Sequence, residues 1–190
     1  RALGVDPVDP RRAASSFPSK LRALAKSAGE KPFMPLPLTV HRGAEGPNDV
    51  GVFQRPCTDC GDCVTGCNVG AKNTLAMNYL PLAKRHGAAL FTGMEVDYVA
   101  AVPARGGYFV FARHHPEDGS PLATKVIHAR VVVLSAGALG STAILLRSRD
   151  RGLSVGRRVG HHFSANADFI GFGYNCAVPT DVLGFGAHAP

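Results

Sequence analysis

The chain has no tryptophan, and its 190 residues carry only 14 Asp and Glu against 21 Lys and Arg. The resulting charge of +7 suits an anionic ligand, but the cations are dispersed, with local excesses only at Arg1 to Lys31 and Arg147 to Arg158. With neither Trp nor an aromatic ladder between those cations, the stacking surface of a single-strand binder is missing, and no nucleic-acid role is expected. No window approaches the roughly 20 apolar residues that cross a bilayer, which argues against a transmembrane helix. Internal repeats and low-complexity tracts are also missing. The cysteine count is odd, at five, and four of them fall within residues 57–67. A secreted disulfide framework needs an even, more widely spaced set, so the clustering implies a reducing, cytoplasmic compartment. The chain begins at Arg1, stops at Pro190 and shows no cap or charged tail at either end, so it reads as a piece of a longer protein.

What is present divides into four stretches. Residues 1–56 are irregular and rich in proline, with one short helix expected over Lys20 to Ser27, capped by Ser16 or Ser19 and stopped at Gly29. Phe33 to Val40 is apolar but holds two prolines, which predicts an edge strand or an extended loop. Residues 57–73 form a cysteine-rich loop. Residues 74–165 begin with a helix from Thr74 to Arg85 that Pro81 must kink or split. Strands follow at Ala88 to Thr92, Val96 to Val102, Tyr108 to Arg113 and Thr124 to His128, separated by Gly-rich turns, which predicts an antiparallel meander. The run Val131 to Leu134 reads as a strand buried on both faces. Gly137 and Gly140 then make a tight turn, and Ser141 caps a helix carrying Ile144, Leu145 and Leu146. Residues 166–190 close the chain, and the last forty residues mix glycines with Phe163, Phe169, Phe172, Tyr174 and Phe185, a composition suited equally to wrapping a ligand or another segment and to a poorly ordered loop that lacks its partner domain. The fold class this predicts is α/β, with one strand-turn-helix of the doubly wound kind and a small antiparallel meander.

Cys57, Cys60, Cys63 and Cys67 match the cysteine spacing C-x2-C-x2-C-x3-C of bacterial-type ferredoxins, although Asn68 stands where that run has Pro. Thiolates at short spacing also suit a tetrahedral structural zinc. A third reading leaves the four thiols reduced and empty, with Gly61 and Gly66 shaping the loop. In a two-cluster ferredoxin the fourth cysteine serves the other cluster, and Cys176 is the only spare here.

The segment CGDCVTGCNVGAKNTLAMNYLPLAKRHGAALFTGMEVDYVA followed by VVVLSAGALGSTAILLRSRD resembles the glucose-methanol-choline flavoprotein oxidoreductases, most of all their cholesterol-oxidase-like branch. Gly137, Ala138, Ser141, Leu145 and Leu146 fit the family's second signature. Thr142 and the pair Arg149-Asp150 depart from it, in a way typical of that branch. The resemblance implies part of an FAD-binding, Rossmann-like domain. It implies that the backbone of Val96 bonds to the adenine and that the turn Ala136 to Gly140, with Gly137, approaches the dinucleotide. It also implies an oxidoreductase acting on the CH-OH group of an alcohol, either a sterol or another bulky apolar one, with oxygen or a redox partner as electron acceptor. An iron-sulfur cluster relaying electrons, or an iron-sulfur electron-transfer protein outright, is the alternative. No G-x-G-x-x-G follows an N-terminal strand, so the helix end that would receive the pyrophosphate is not in this sequence. The family's catalytic His and its partner would lie beyond Pro190. No catalytic residue is therefore assigned, the chain alone is expected to be inactive, and His161, His162, Asn166 and Asp168 read as loop residues. Residues 166–190 would begin the substrate domain.

Overall fold

The computed structural model describes residues 19–29, 36–61, 63–171, 175 and 177. Ser16, Phe33 to Pro35, Cys176, Phe172, Tyr174 and Phe185, which the sequence reading used, lie outside them. The described residues fall into two compact units, one running up to Ala89 and resuming at Gly171, the other spanning Leu90–Ile170.

In the first unit, helix α1 covers Ser19–Ser27 and ends where Gly29 takes a φ of +65°, as the spacing of Leu21 and Ala25 predicted. Two two-residue strands, β1 (Gly46–Pro47) and β2 (Phe53–Gln54), pair antiparallel. Asn48 closes the loop between them. Its side-chain oxygen accepts from the Val50 and Val52 amides, while its nitrogen donates to Gln54 Oε1 at 2.8 Å and to the Met77 carbonyl at 2.7 Å. The segment Leu36 to Val40 is extended, with an antiparallel bridge from Val40 to Lys72. The helix expected over Thr74 to Arg85 is split, as Pro81 required, but the break comes earlier. A 3-10 turn spans Leu75–Met77, and α2 spans Tyr79–Arg85. Buried Asn78 caps α2 by accepting from the Tyr79 amide at 2.6 Å. Pro81 thus falls in the first turn of α2, where an amide has no helical partner to lose.

The second unit is a three-stranded antiparallel sheet, β3 (Met94–Ala101), β4 (Tyr108–His114) and β5 (Ala123–Ala129), in that order, with α3 (Gly137–Asp150) against β3. This is the predicted meander. Alternation along β3 and β4 turns Val99 and Ala112 into the core, beside Ile144 of α3. Ser148, fully buried, ties helix to sheet: its hydroxyl accepts from the Val99 amide at 2.8 Å and donates to the Ile144 carbonyl at 2.7 Å. Tyr98 stacks on Phe111 with ring centroids 4.3 Å apart, and the Arg151 guanidinium lies 4.4 Å from the Tyr98 ring centre.

Three sequence expectations are corrected here. Ala88 to Thr92 is irregular, and the strand starts only at Met94, after Gly93 takes a φ of +65°. Val131 to Leu134 forms no strand: with no ladder partner among the described residues, Val131 and Val133 stand 76% and 81% exposed. A run buried on both faces needs neighbours on both sides. Ser141 does not cap α3 from outside. The helix begins four residues earlier, at Gly137, whose φ of +72° makes the turn into it, and the Ser141 hydroxyl reaches back to accept from the Ala136 amide at 3.0 Å.

Candidate functional site

The second unit contains a hollow of about 680 Å³ between the outer edge of β3, the extended segment 132–136 and the first three turns of α3. Its walls are mostly apolar: Val96, Val110, Val132, Val133, Leu134, Ala143 and Ile144. Three of the four residues singled out for a cofactor, Val96, Ala136 and Gly140, line it. Gly137 does not, but it opens α3 beside Ala136. At Gly140 an added Cβ would stand 3.1 Å from that of Ala136, so the close fit of this turn favours glycine.

The β3 edge is shaped by a bulge. Val96 pairs with Ala112 and Tyr98 with Phe111, which leaves Asp97 as an extra residue. The His115 amide donates to the Gly93 carbonyl, and the Val102 amide to the Gly107 carbonyl. Alternation from these two bonds puts Glu95 and Tyr98 in the bonded positions and turns the Val96 backbone outward, away from β4. Arg147 meets it there: Nε donates to the Asp97 carbonyl at 2.7 Å and lies 3.0 Å from Asp97 Oδ1, while Nη2 donates to the Val96 carbonyl at 3.3 Å. Glu95 lies at the rim, held by Arg113 and His115 at 2.7 Å each. The bond from His115, followed by the charge of Arg113, keeps its carboxyl below the usual range. The sequence reading missed Arg147 and Ser148. The only hint was their place as polar residues next to the apolar run Ile144 to Leu146 in α3.

The cysteine loop lies in the first unit. It is strapped down by backbone bonds from Cys57 to the His41 carbonyl at 2.8 Å and from His41 to the Ala71 carbonyl at 2.7 Å, and the Arg42 guanidinium clasps both oxygens of Asp59. Cys57, Cys60, Cys63 and Cys67 are all free thiols and line one cavity of about 20 Å³ with Val40, Val69, Ala71 and Lys72. As they stand, no three His, Cys, Asp or Glu side chains among the described residues converge closely enough to hold a single metal ion. The thiols differ electrically. Burial pushes Cys57 up. Burial acts the same way on Cys67, but the surrounding amides of Lys72, Val69, Ala71 and Gly70 outweigh it and hold that thiol below its ordinary value. Lys72 Nζ donates to the Cys63 carbonyl at 2.9 Å.

His161, His162, Asn166 and Asp168 are exposed in turns and do not converge with the hollow's lining. His162 and Asn166 take φ values of +57° and +60°.

A sequence model of the family described as GMC oxidoreductase matches residues 47–164, a span that carries the cysteine loop, the meander and α3. The chain belongs to the GMC oxidoreductase family. Among its relatives is a cholesterol oxidase of Acinetobacter baumannii, 30% identical over 136 residues, which is 65% of this chain and 23% of the relative. A cholesterol oxidase of Mycobacterium tuberculosis H37Rv is 35% identical over 132 residues, 67% of this chain and 21% of the relative. The long-chain-alcohol oxidase FAO4B of Arabidopsis thaliana is 31% identical over 112 residues, 54% of this chain and 15% of the relative. The chain thus spans less than a quarter of the length of these curated relatives. The GMC family is FAD-dependent, and the mixed helices and small antiparallel sheets fit part of its FAD-binding domain. The hollow fits one end of such a cofactor: it offers apolar walls, an outward backbone edge at Val96 and a glycine turn that lets the chain come close.

Proposed function

We propose that the second unit forms the adenine side of the FAD site of a flavoprotein that oxidises the CH-OH group of a bulky apolar alcohol. One observation carries the reading: Val96 of β3 and the turn residues Ala136 and Gly140, distant from it in sequence, line one apolar hollow. In this reading the Val96 N–H, on the outer edge of β3, bonds to the base, while valine and isoleucine side chains hold its faces and exclude water. The turn Ala136 to Gly140 brings backbone close to the dinucleotide, and Gly137 sets the direction of α3. FAD supplies the hydride acceptor, and the protein supplies position and polarity. None of the described residues is given the proton-abstracting role. The names of the relatives support an alcohol substrate, sterol or long-chain, with oxygen or a redox partner as acceptor. Residues 166–190 begin the substrate domain, and a reducing, cytoplasmic compartment suits the clustered thiols.

A second reading concerns the cysteines. Four thiols lining one cavity, with amide hydrogens gathered around Cys67, suit a thiolate ligand set that closes on an iron-sulfur cluster and relays electrons from the flavin. Structural zinc is the alternative occupant. One sample of the full-length protein, purified anaerobically, tests both readings by its absorption spectrum and by iron and zinc assays. Flavin bands that bleach on adding cholesterol or a long-chain alcohol are expected. Stoichiometric iron with a bleachable shoulder would add the relay, and stoichiometric zinc without iron would make the loop structural. Iron-sulfur absorption without flavin would overturn the first reading.

A further inference from the structure

We propose that Cys63 and Cys67 form a peroxide-sensitive dithiol: hydrogen peroxide oxidises the pair to a disulfide, and a small thiol reduces it again. The pair stands apart from the flavin reading and takes the place of the metal readings of the same loop. Lys72 holds both cysteines. Its ammonium donates to the Cys63 carbonyl at 2.9 Å, and its backbone amide is among those bonded to the Cys67 sulfur. Gly66, at a φ of +124°, turns the chain between them. Both thiols are free, half-buried and on the wall of one cavity of about 20 Å³, room for about one water. As it stands, that space is too small for an iron-sulfur cube, and no three His, Cys, Asp or Glu side chains among the described residues converge on a metal ion. A bond between sulfurs needs only a pair. Cys57 is engaged elsewhere, with its sulfur accepting from the Asp59 amide at 3.4 Å and lying 3.7 Å from Asp59 Oδ1.

The Cys67 sulfur, surrounded by the amides of Val69, Gly70, Ala71 and Lys72, attacks one peroxide oxygen. The O–O bond breaks, the departing hydroxide takes a proton and leaves as water, and Cys67 is left as a sulfenic acid. The Cys63 sulfur then attacks the Cys67 sulfur. The S–O bond breaks, and a second water leaves with the remaining thiol proton, so that an electron pair has passed from the sulfurs to the peroxide. Where oxygen is the electron acceptor of the flavin reaction proposed above, peroxide is the reduced product and the oxidant arises from turnover. Only Val64, Thr65 and Gly66 separate the cysteines. A bond closing so short a loop adds little stability, which suits a reversible switch better than a permanent staple.

The test uses the full-length protein, assayed for iron and zinc as purified and then treated with a slight excess of hydrogen peroxide, with the remaining thiols read by site-resolved mass spectrometry after alkylation. Cys63 and Cys67 should lose their label together and several-fold faster than Cys57, with a disulfide between them that dithiothreitol reverses. Cys63→Ser removes the resolving sulfur, so dimedone should trap a sulfenic acid on Cys67 in that variant and much less in wild type. Should the variant not fold, the wild-type labelling carries the comparison. Survival of both thiols, a first disulfide that includes Cys57 or Cys60, or stoichiometric iron or zinc in the purified protein overturns the proposal. The flavin reading stands or falls separately, on whether flavin bands are present and bleach with an alcohol.

Discussion

Cys57 and Cys67 are the same residue type ten positions apart in one loop, yet they are driven in opposite directions. Burial dominates at Cys57 and raises its pKa, whereas four backbone amides outweigh burial at Cys67 and lower it. A thiolate is the nucleophile, so the fraction ionised at neutral pH sets the rate of alkylation. Under limiting iodoacetamide at pH 7, with metal chelated, Cys67 should be modified several-fold faster than Cys57, as site-resolved mass spectrometry would show. Faster labelling of Cys57 would mean that the amides around Cys67 are not held in solution as they are in the structure. The linkage has a definite sign. A thiol whose folded pKa is depressed adds stability above its unfolded pKa and loses that contribution as pH falls through the folded value. Cys67→Ser should therefore remove a rise in stability with pH on the alkaline side of neutrality, whereas Cys57→Ser should remove a fall there, because a thiol whose folded pKa is raised loses its contribution as pH rises through that value.

At the scale of elements, α3 is attached to β3 by the exposed Arg147 guanidinium and by the buried Ser148 hydroxyl. Removing it with Ser148→Ala leaves the Val99 amide, on a residue only 4% exposed, without its acceptor. An orphaned buried donor costs about 1–3 kcal/mol, which denaturant unfolding of the full-length protein would resolve. Thr142 makes a similar back-bond, donating to the Ala138 carbonyl at 2.7 Å, but at an exposed site. Thr142→Ala should stay within about 0.5 kcal/mol of wild type. Equal effects for the two variants would place the anchor elsewhere. The sequence announced the meander, because β4 and β5 alternate between clear turn signals. It announced α1 and the split before α2 through Gly29 and Pro81. It did not announce the bulge at Asp97, since one extra residue in a strand leaves no compositional mark. Nor could it show that Val131 to Leu134 would find no strand partner among the described residues, because periodicity reports what a segment buries only when a partner is there to bury it. The hollow was legible as far as Val96 and the glycine turn, and then only through family resemblance. Arg147 was not, since an arginine on a helix reads as a solvated face until its partners are seen.

Across the whole molecule, the balance between buried and exposed apolar surface decides how the isolated chain behaves. The buried hydrophobic residues among those described are Val40, Ala71, Val99, Ala112 and Ile144, a small set to offset the entropy of ordering two units. Against them, in the second unit alone, Phe91, Leu139, Phe163, Phe169 and Ile170 are exposed along with Val131 and Val133. Exposed apolar surface on this scale marks contact with something else, whether further polypeptide, ligand or another molecule. The outer edge of β5 is a second open feature. Among the described residues it is unpaired in the sheet order β3-β4-β5, and it bears exposed Val126 and Ile127, a combination that invites strand addition. The isolated 190-residue chain should therefore melt broadly, bind a hydrophobic dye at room temperature and self-associate as its concentration rises. Calorimetry and light scattering across a dilution series would check this. A sharp, concentration-independent transition would mean that the two small cores suffice, and that the exposed valines and phenylalanines serve a partner instead of the fold. Adding FAD separates the remaining possibilities. If the hollow beside β3 already has its bound-state shape, the dinucleotide should raise the melting temperature of the isolated chain by mass action. If the apolar wall at Val132 to Leu134 needs a neighbouring strand to hold it, FAD should leave the transition where it was.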